Sequence, residues 1–370
     1  MPRARRRIAL IAALALPVLC ILLAVASALI NSTLPAGSQD PDRLTAAEKA
    51  HVEEALHLKQ AGVATLWPAW SASDIPVLLY NERTAFLLAF GEPPPGWVPV
   101  EGDDFLGKPY YRRAWPEPQA FAERIGTRWV GSLATYEWMR IALRNQVRSD
   151  LPGPLQPIFP YWLAMPLFTS DWHITGILHE TVHAFAATQA PQRFDAALAS
   201  YAHQDRYPWE DGGLQDAWQT ELDLLAGALR ASSDQAAADL ARQFLAQRAG
   251  RRETYALSPA SINLERQIEW LEGLGKYAEL GAWRAGSRAG YAPVGSIASD
   301  GDFKRYTGFA GRWDEELKQM QGLAGRPGDM RFYYTGMAQA MLLDRLAPGW
   351  QERIMDDGVW LEDLLAAALD

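Results

Sequence analysis

Cysteine is almost missing from this 370-residue chain: its one copy, Cys20, lies within an apolar run near the N-terminus. The remainder therefore has no disulfide on whichever side of a membrane it stands, and thiolates drop out as metal ligands. Cys20 is no lipid-attachment site either, because Pro17-Val18-Leu19 precede it where small residues are needed. Positive charge is also short. The formal net charge is −9, and the four basic residues before position 30 (Arg3, Arg5, Arg6 and Arg7) all sit at the extreme N-terminus, so without them the remainder carries −13. That balance argues against a nucleic-acid partner. Internal repeats and low-complexity tracts are absent beyond the leader. With 49% hydrophobic and 21% charged residues the composition is that of a globular protein, which excludes wholesale disorder.

What is present begins with an uncharged run of 23 residues, Ile8 to Ile30, between the arginine cluster and a polar stretch from Asn31 to Asp42. As a helix it is long enough for a bilayer core of roughly 30 Å. The arginines stay cytoplasmic, so everything after Ile30 is expected outside the cytoplasm. A cleaved signal peptide is the competing reading, since Ala24-Val25-Ala26 and Ala26-Ser27-Ala28 offer small residues at cleavage spacing. The run exceeds the roughly 7 to 15 residues of a signal core, which favours an uncleaved single-pass anchor in the cell membrane. Both readings export the same domain.

Thr45-Ala46-Ala47-Glu48 reads as a capping box opening a helix that ends near Gly62. Between Ile75 and Phe90 the pattern predicts two short buried strands about a turn at Asn81, with further strands at Tyr110 to Trp115 and Arg128 to Thr135. A hydrophobic edge strand in 75 to 90 would suit an extended peptide by strand addition. Pro-rich loops follow at 93 to 98 and 152 to 160. After about residue 165 long helical patterns take over, at 171 to 188, 214 to 231, 233 to 249, 262 to 285, 302 to 322 and 331 to 346. The expected fold class is α+β, strands first and helices second. The parts are a leader and anchor over 1–30, a linker over 31–44, an α+β part over 45–160 and a mainly helical part over 161–370. Tryptophan is abundant, at 15 residues, and packing accounts for it as readily as a substrate cleft does.

The chemistry-bearing run is His179-Glu180-Thr181-Val182-His183. Two histidines four residues apart on a helix present both imidazoles to one point, and zinc is well served by such a rigid pair. Glu180 stands where it can take a proton from a water activated by the metal. Ile177, Leu178, Thr181, Val182, Ala184 and Phe185 around it are uncharged, as a helix buried beside a metal requires. With six histidines in the chain, chance gives such a run roughly once in a hundred sequences. The metzincin class is excluded, because the histidine it needs six residues after His183 is replaced by Gln189. A carboxylate from a later helix remains as the common third ligand.

Glu269-Trp270-Leu271-Glu272-Gly273-Leu274-Gly275-Lys276-Tyr277 resembles the glutamate helix of the gluzincin superfamily of zinc metallopeptidases. The resemblance makes Glu272 the third metal ligand beside His179 and His183, with Glu269 an outer partner or substitute. The chain departs from the compact members in its 89-residue interval from His183 to Glu272, and Leu271 stands where asparagine is frequent. Glu221, nearer the motif, is the rival ligand. Gly273 and Gly275 inside a helix point to close packing. Tyr333-Tyr334-Thr335-Gly336 is similar to the Tyr-x-Lys-Gly element of aminopeptidase-type members, whose tyrosine stabilises the oxyanion. By that likeness Tyr333 or the adjacent Tyr334 is catalytic, although Thr335 replaces the lysine. The element by which aminopeptidases hold a free N-terminus is not found.

The resemblance thus implies a membrane-anchored, extracytoplasmic, zinc-dependent peptidase whose partner is a peptide or protein substrate. Two alternatives stay open: an inactive exported binding or scaffold protein with a zincin fold, and a zinc hydrolase of a non-peptide bond. His173 is expected to make a structural hydrogen bond, its spacing to His179 pointing it to another helix face.

Overall fold

The computed structural model describes residues 2–115, 122–164 and 168–370, with side chains from residue 15 onward except that of residue 164. α1 (Pro2–Asn31) is one continuous helix. Among the described residues no helix is long and apolar enough to cross a membrane. The side chains of residues 8–14, the first part of the expected span, lie outside the described residues.

The predicted capping box starts α2 (Ala46–His57): Thr45 Oγ1 accepts from the Glu48 amide and Glu48 Oε2 accepts from the Thr45 amide. A π turn over Leu58–Gly62 and the short α3 (Pro68–Ala72) lead into the sheet. Its strands are β1 (Val77–Tyr80), β2 (Thr84–Leu88), β3 (Val98–Pro99), β4 (Tyr111–Ala114), β5 (Glu123–Ile125) and β6 (Arg128–Ala134), in the order β3-β4-β2-β1-β6-β5. Among the described residues only the β1–β6 pairing is parallel. Asn81 makes the β1–β2 turn, its Oδ1 accepting from the amides of Arg83 and Thr84. β1 and β2 are interior strands with partners on both sides. The expected edge strand in 75 to 90 is therefore corrected: no strand addition is open there.

Alternation along the strands divides the burial. Val77, Leu79, Phe86 and Leu88 enter the main core, while Leu78, Tyr80, Leu87, Tyr111 and Val130 build a smaller cluster with Trp97 and Trp115 on the other face. The remaining helices are α4 (Tyr136–Asp150), α5 (Tyr161–Ala164), α6 (Ser170–Gln189), α7 (Pro191–Ser200), α8 (Gly212–Arg230), α9 (Asp234–Thr254), α10 (Pro259–Gly286), α11 (Phe309–Gln321), α12 (Met330–Leu346) and α13 (Leu361–Ala367). The expected α+β class thus describes a mixed architecture, with α4 as an unforeseen helix in the first half. The helix expected from 302 begins only at Phe309. Residues before it wrap the N-terminus of α6, where the Asp171 carboxylate accepts from the backbone amides of Lys304 and Tyr306.

One hydrophobic core runs from Leu44 to Leu369 and draws on both sides of the 160/161 division. The segment 31–44 is tied down: Glu82 accepts from the Ser38 amide and hydroxyl, and Asn81 Nδ2 donates to Pro41 O. α10 is the axis of the helical half, buried from Gln267 to Leu280. A Cβ at Gly273 would lie 2.5 Å from the Gly336 Cα, so α10 and α12 cross almost backbone to backbone.

Candidate metal centre

α6 is buried along most of its length, so its polar side chains need partners within the protein. His179 and His183 follow one another on its α10-facing side, ring centroids 4.8 Å apart. Glu272 of α10 meets both, its Oε2 standing 3.2 Å from His179 Nε2 and 3.3 Å from His183 Nε2. The three residues are buried, and their ligand atoms all lie within 4.8 Å of one another. Ligand atoms around a tetrahedral ion with bonds near 2.0–2.1 Å are about 3.4 Å apart, so this group can hold a metal ion. α10 gives way to the imidazole: a Cβ at Gly275 would lie 2.6 Å from His179 Nε2. The glycine is thus forced by the ring.

Glu180 is buried beside this group, its Oε2 4.0 Å from His183 Nε2. That oxygen has no hydrogen-bond partner among the described residues. Burial raises the Glu180 pKa well above the ordinary carboxylate value, with Glu272 and Glu279 adding to the push against His179. Burial also opposes charge on the two histidines. For His183 it prevails and the pKa falls, whereas at His179 the carboxylates of Glu272 and Glu279 outweigh it and push the pKa up to about 10. Glu272 is held below the usual range despite burial, by His183 first and then His179. Three carboxylates around two imidazoles make a cluster that favours a cation, a proton on His179 or a metal ion.

Glu279 was not singled out by sequence. It lies two helical turns after Glu272 on the same face of α10, and its Oε2 is 3.7 Å from His179 Nδ1. Lys276 and Arg312 hold it in turn, at 3.2 and 2.8 Å, and despite burial keep its pKa low. A carboxylate on the far ring nitrogen fixes the orientation of a ligating histidine. The two-turn spacing was a signal available in the sequence.

Of the two tyrosines expected to be catalytic, the structure brings only Tyr333 to the centre. Its ring stacks on His179 at 27° with centroids 6.3 Å apart, and burial followed by the Glu272 charge raises its pKa. Tyr334 is the correction: its hydroxyl donates to Glu316 Oε2 at 2.7 Å, deep beside α11. Successive residues on a helix point about 100° apart, so one of the pair had to face away. A second phenol stands at the centre unforeseen. Tyr201, on a 3-10 turn after α7, donates to Glu272 Oε1 at 3.1 Å. No local pattern in the sequence marked it.

Glu269 and Glu221 are engaged elsewhere. Glu269 binds Arg248, Thr335 and Gln339, and Glu221 binds Arg248 and Arg251. His173 makes its structural bond, Nε2 to Ala134 O at 2.9 Å, and its Nδ1 meets His51 Nδ1 at 3.0 Å. Compared with known proteins, the chain matches no family model, no curated protein and no solved structure.

Proposed function

We propose that this protein is a zinc-dependent peptidase of gluzincin type, anchored in the membrane by α1 with its catalytic part outside the cytoplasm. The observation that carries the reading is the buried Glu180 carboxyl beside the His179–His183–Glu272 group, its Oε2 4.0 Å from His183 Nε2 and without a hydrogen bond from the described residues. A metal site serving only structure has no use for a general base beside its ligands, and Glu180 stands where one is needed. Two imidazoles and one carboxylate suit zinc, and three protein ligands leave a position open for chemistry. When bound, the ion would supply a Lewis acid that polarises a carbonyl and acidifies water.

The side chains account for the rest of a hydrolysis. Glu180 Oε2 takes a proton from the attacking water as its oxygen bonds to the scissile carbonyl carbon. The same oxygen then delivers that proton to the leaving nitrogen as the C–N bond breaks, so the water is divided between acyl and amine products. Tyr333 keeps its proton, its pKa raised by burial and then by Glu272, and can donate to a developing oxyanion, while the Tyr201 hydroxyl donates to Glu272 Oε1 and holds that carboxylate. Glu279 keeps the His179 ring in place. The uncharged run Ile8–Ile30 behind Arg3, Arg5, Arg6 and Arg7 supports the anchor and the outward orientation.

The test is metal analysis of the purified full chain joined to a peptide-library assay of wild type and Glu180→Gln. Stoichiometric zinc in both, with cleavage in wild type falling by about 10²–10⁴-fold in the variant, is the expected result. Stoichiometric zinc without Glu180-dependent cleavage would sink the peptidase reading.

A further inference from the structure

No charged side chain occurs between Asp150 and Asp171. Within that stretch Leu155, Ile158 and Leu163 are exposed, three large apolar side chains in nine residues. The segment lies against the end of α1. Asn31 Nδ2 donates to Pro157 O and Phe159 O, both at 2.8 Å, and Trp162 Nε1 donates to Ser27 Oγ at 3.4 Å. Pro152, Pro154, Pro157 and Pro160 have no N–H to leave unsatisfied in an apolar medium. From Leu16 to Ile30, α1 itself exposes most of its large apolar side chains.

Height follows from helix geometry. Ile8 to Ile30 spans about 33 Å at about 1.5 Å per residue, against a hydrocarbon core of about 30 Å. Ser27 and Asn31 therefore stand at the outer boundary, and the half-buried Trp162 stands beside them, where tryptophan anchors membrane proteins. Charge complements this face. A hollow of about 350 Å³ beside the end of α1 is lined by Ala28, Asn31, Tyr161, Arg144 and Arg148, the two arginines one turn apart on α4.

We propose that segment 151–163, with Arg144 and Arg148 beside it, is a second membrane contact. Its apolar side chains enter the headgroup–acyl boundary of the outer leaflet, and the arginines bind anionic phospholipid headgroups. This rests on the reading of α1 as an inserted anchor. The consequence is a catalytic part seated at a fixed orientation on the bilayer instead of swinging on a stalk.

The test uses the full chain in phosphatidylcholine vesicles with and without phosphatidylglycerol. An NBD label on native Cys20 reports α1. In a Cys20→Ser background the same label at Leu163→Cys reports the segment, and at Leu198→Cys, exposed on α7, a surface control. The expected result is blue-shifted NBD emission at 163, quenched severalfold more than at 198 by lipid spin-labelled near the headgroup. The quenching should increase with phosphatidylglycerol, and Arg148→Glu should abolish that increase. A label embedded at 20 but water-exposed at 163 overturns the second contact and leaves the anchor standing. Water exposure at 20 removes the anchor reading and the proposal together. Equal quenching in the two lipid compositions overturns the headgroup part.

Discussion

Helix α10 carries buried glutamates to two neighbouring clusters that differ in what neutralises them. Glu265 and Glu269, joined by Glu221 and Glu362, meet Arg248, Arg251 and Arg252 of α9. Arg248 Nη2 is 2.6 Å from Glu269 Oε1 and Arg251 Nη1 is 2.7 Å from Glu265 Oε1. The Arg251 guanidinium also lies 3.8 Å above the Trp218 ring. Despite burial, Arg251 first and then Arg252 and Arg248 bring the Glu265 pKa down to about 2. Glu272, one turn further along, faces His179, His183 and Tyr201. Both clusters are buried, so burial does not separate them. A guanidinium is a permanent cation that closes a cluster, whereas an imidazole is a cation only while protonated and otherwise presents a lone pair. An acid saturated by arginines holds helices together; an acid among imidazoles invites a metal.

The sharpest way to break this comparison is to remove one acid from each side. Glu272→Ala is expected to lower zinc affinity by more than the roughly 100-fold upper range for outer-shell changes, and peptide cleavage with it. Glu269→Ala leaves Arg248 short of a buried counter-ion and should cost about 3–5 kcal/mol of stability. Its zinc content per folded molecule should stay at the wild-type value. Metal analysis and chemical denaturation of both variants decide the matter. Equal zinc loss in the two would erase the distinction.

Smaller effects separate the phenols and the ring-orienting acid. Tyr333→Phe should lower kcat by about 10²-fold if its hydroxyl faces developing charge, with zinc retained. Tyr334→Phe, whose hydroxyl serves Glu316, should leave kcat near wild type; a comparable loss there would return the role to the buried neighbour. Glu279→Gln keeps the size of the side chain but weakens its hold on His179 Nδ1. Zinc affinity is expected to fall about 10–100-fold, with full occupancy recovered at excess zinc. Titration against a competing chelator reads that difference, and an unchanged affinity would reduce Glu279 to an ion-pair residue of Lys276 and Arg312.

Much of this was legible because it is local. The i, i+4 histidines, the Thr45–Glu48 box, the Asn81 turn and the glycines of α10 each follow from a spacing and a short-range rule. Glu272 was reachable only through a resemblance, because nothing within α10 distinguishes it from Glu265 or Glu269. The difference lies in α6 and α9, which bring imidazoles to one and guanidiniums to the others. Tyr201 was invisible for the same reason. Strand order was also beyond reach, since β1 and β2 read as buried but not as interior. The α4 helix escaped because it is mostly polar and only Tyr136 and Ile141 of its 15 residues are buried.

A third buried set sharpens the comparison from the side of pH. His173 Nε2 lies on Ala134 O, a carbonyl that only accepts, so Nε2 donates and Nδ1 must accept from His51 Nδ1. His51 Nε2 is 2.8 Å from Asp300 Oδ2, an acid kept ionised by His51 and Ser170 despite burial. His173 is thus held as the neutral imidazole, with Nε2 carrying its proton. Burial first, and the neighbouring His51 next, push the His173 pKa from its ordinary 6.5 down to about 3. Below pH 6.5 the unfolded chain takes up a proton that the folded chain refuses, so this contribution is full above 6.5 and is lost as pH falls toward 3. Between pH 7 and 5 the loss is about 2 kcal/mol at one pKa unit per about 1.4 kcal/mol. His179, whose pKa moves the other way, contributes with the opposite sign, so the test is a difference. Denaturant unfolding of wild type and His173→Gln at pH 7 and 5 should show the variant less sensitive to acid by that amount. Parallel slopes would mean that His173 titrates in the folded protein as it does in the unfolded chain.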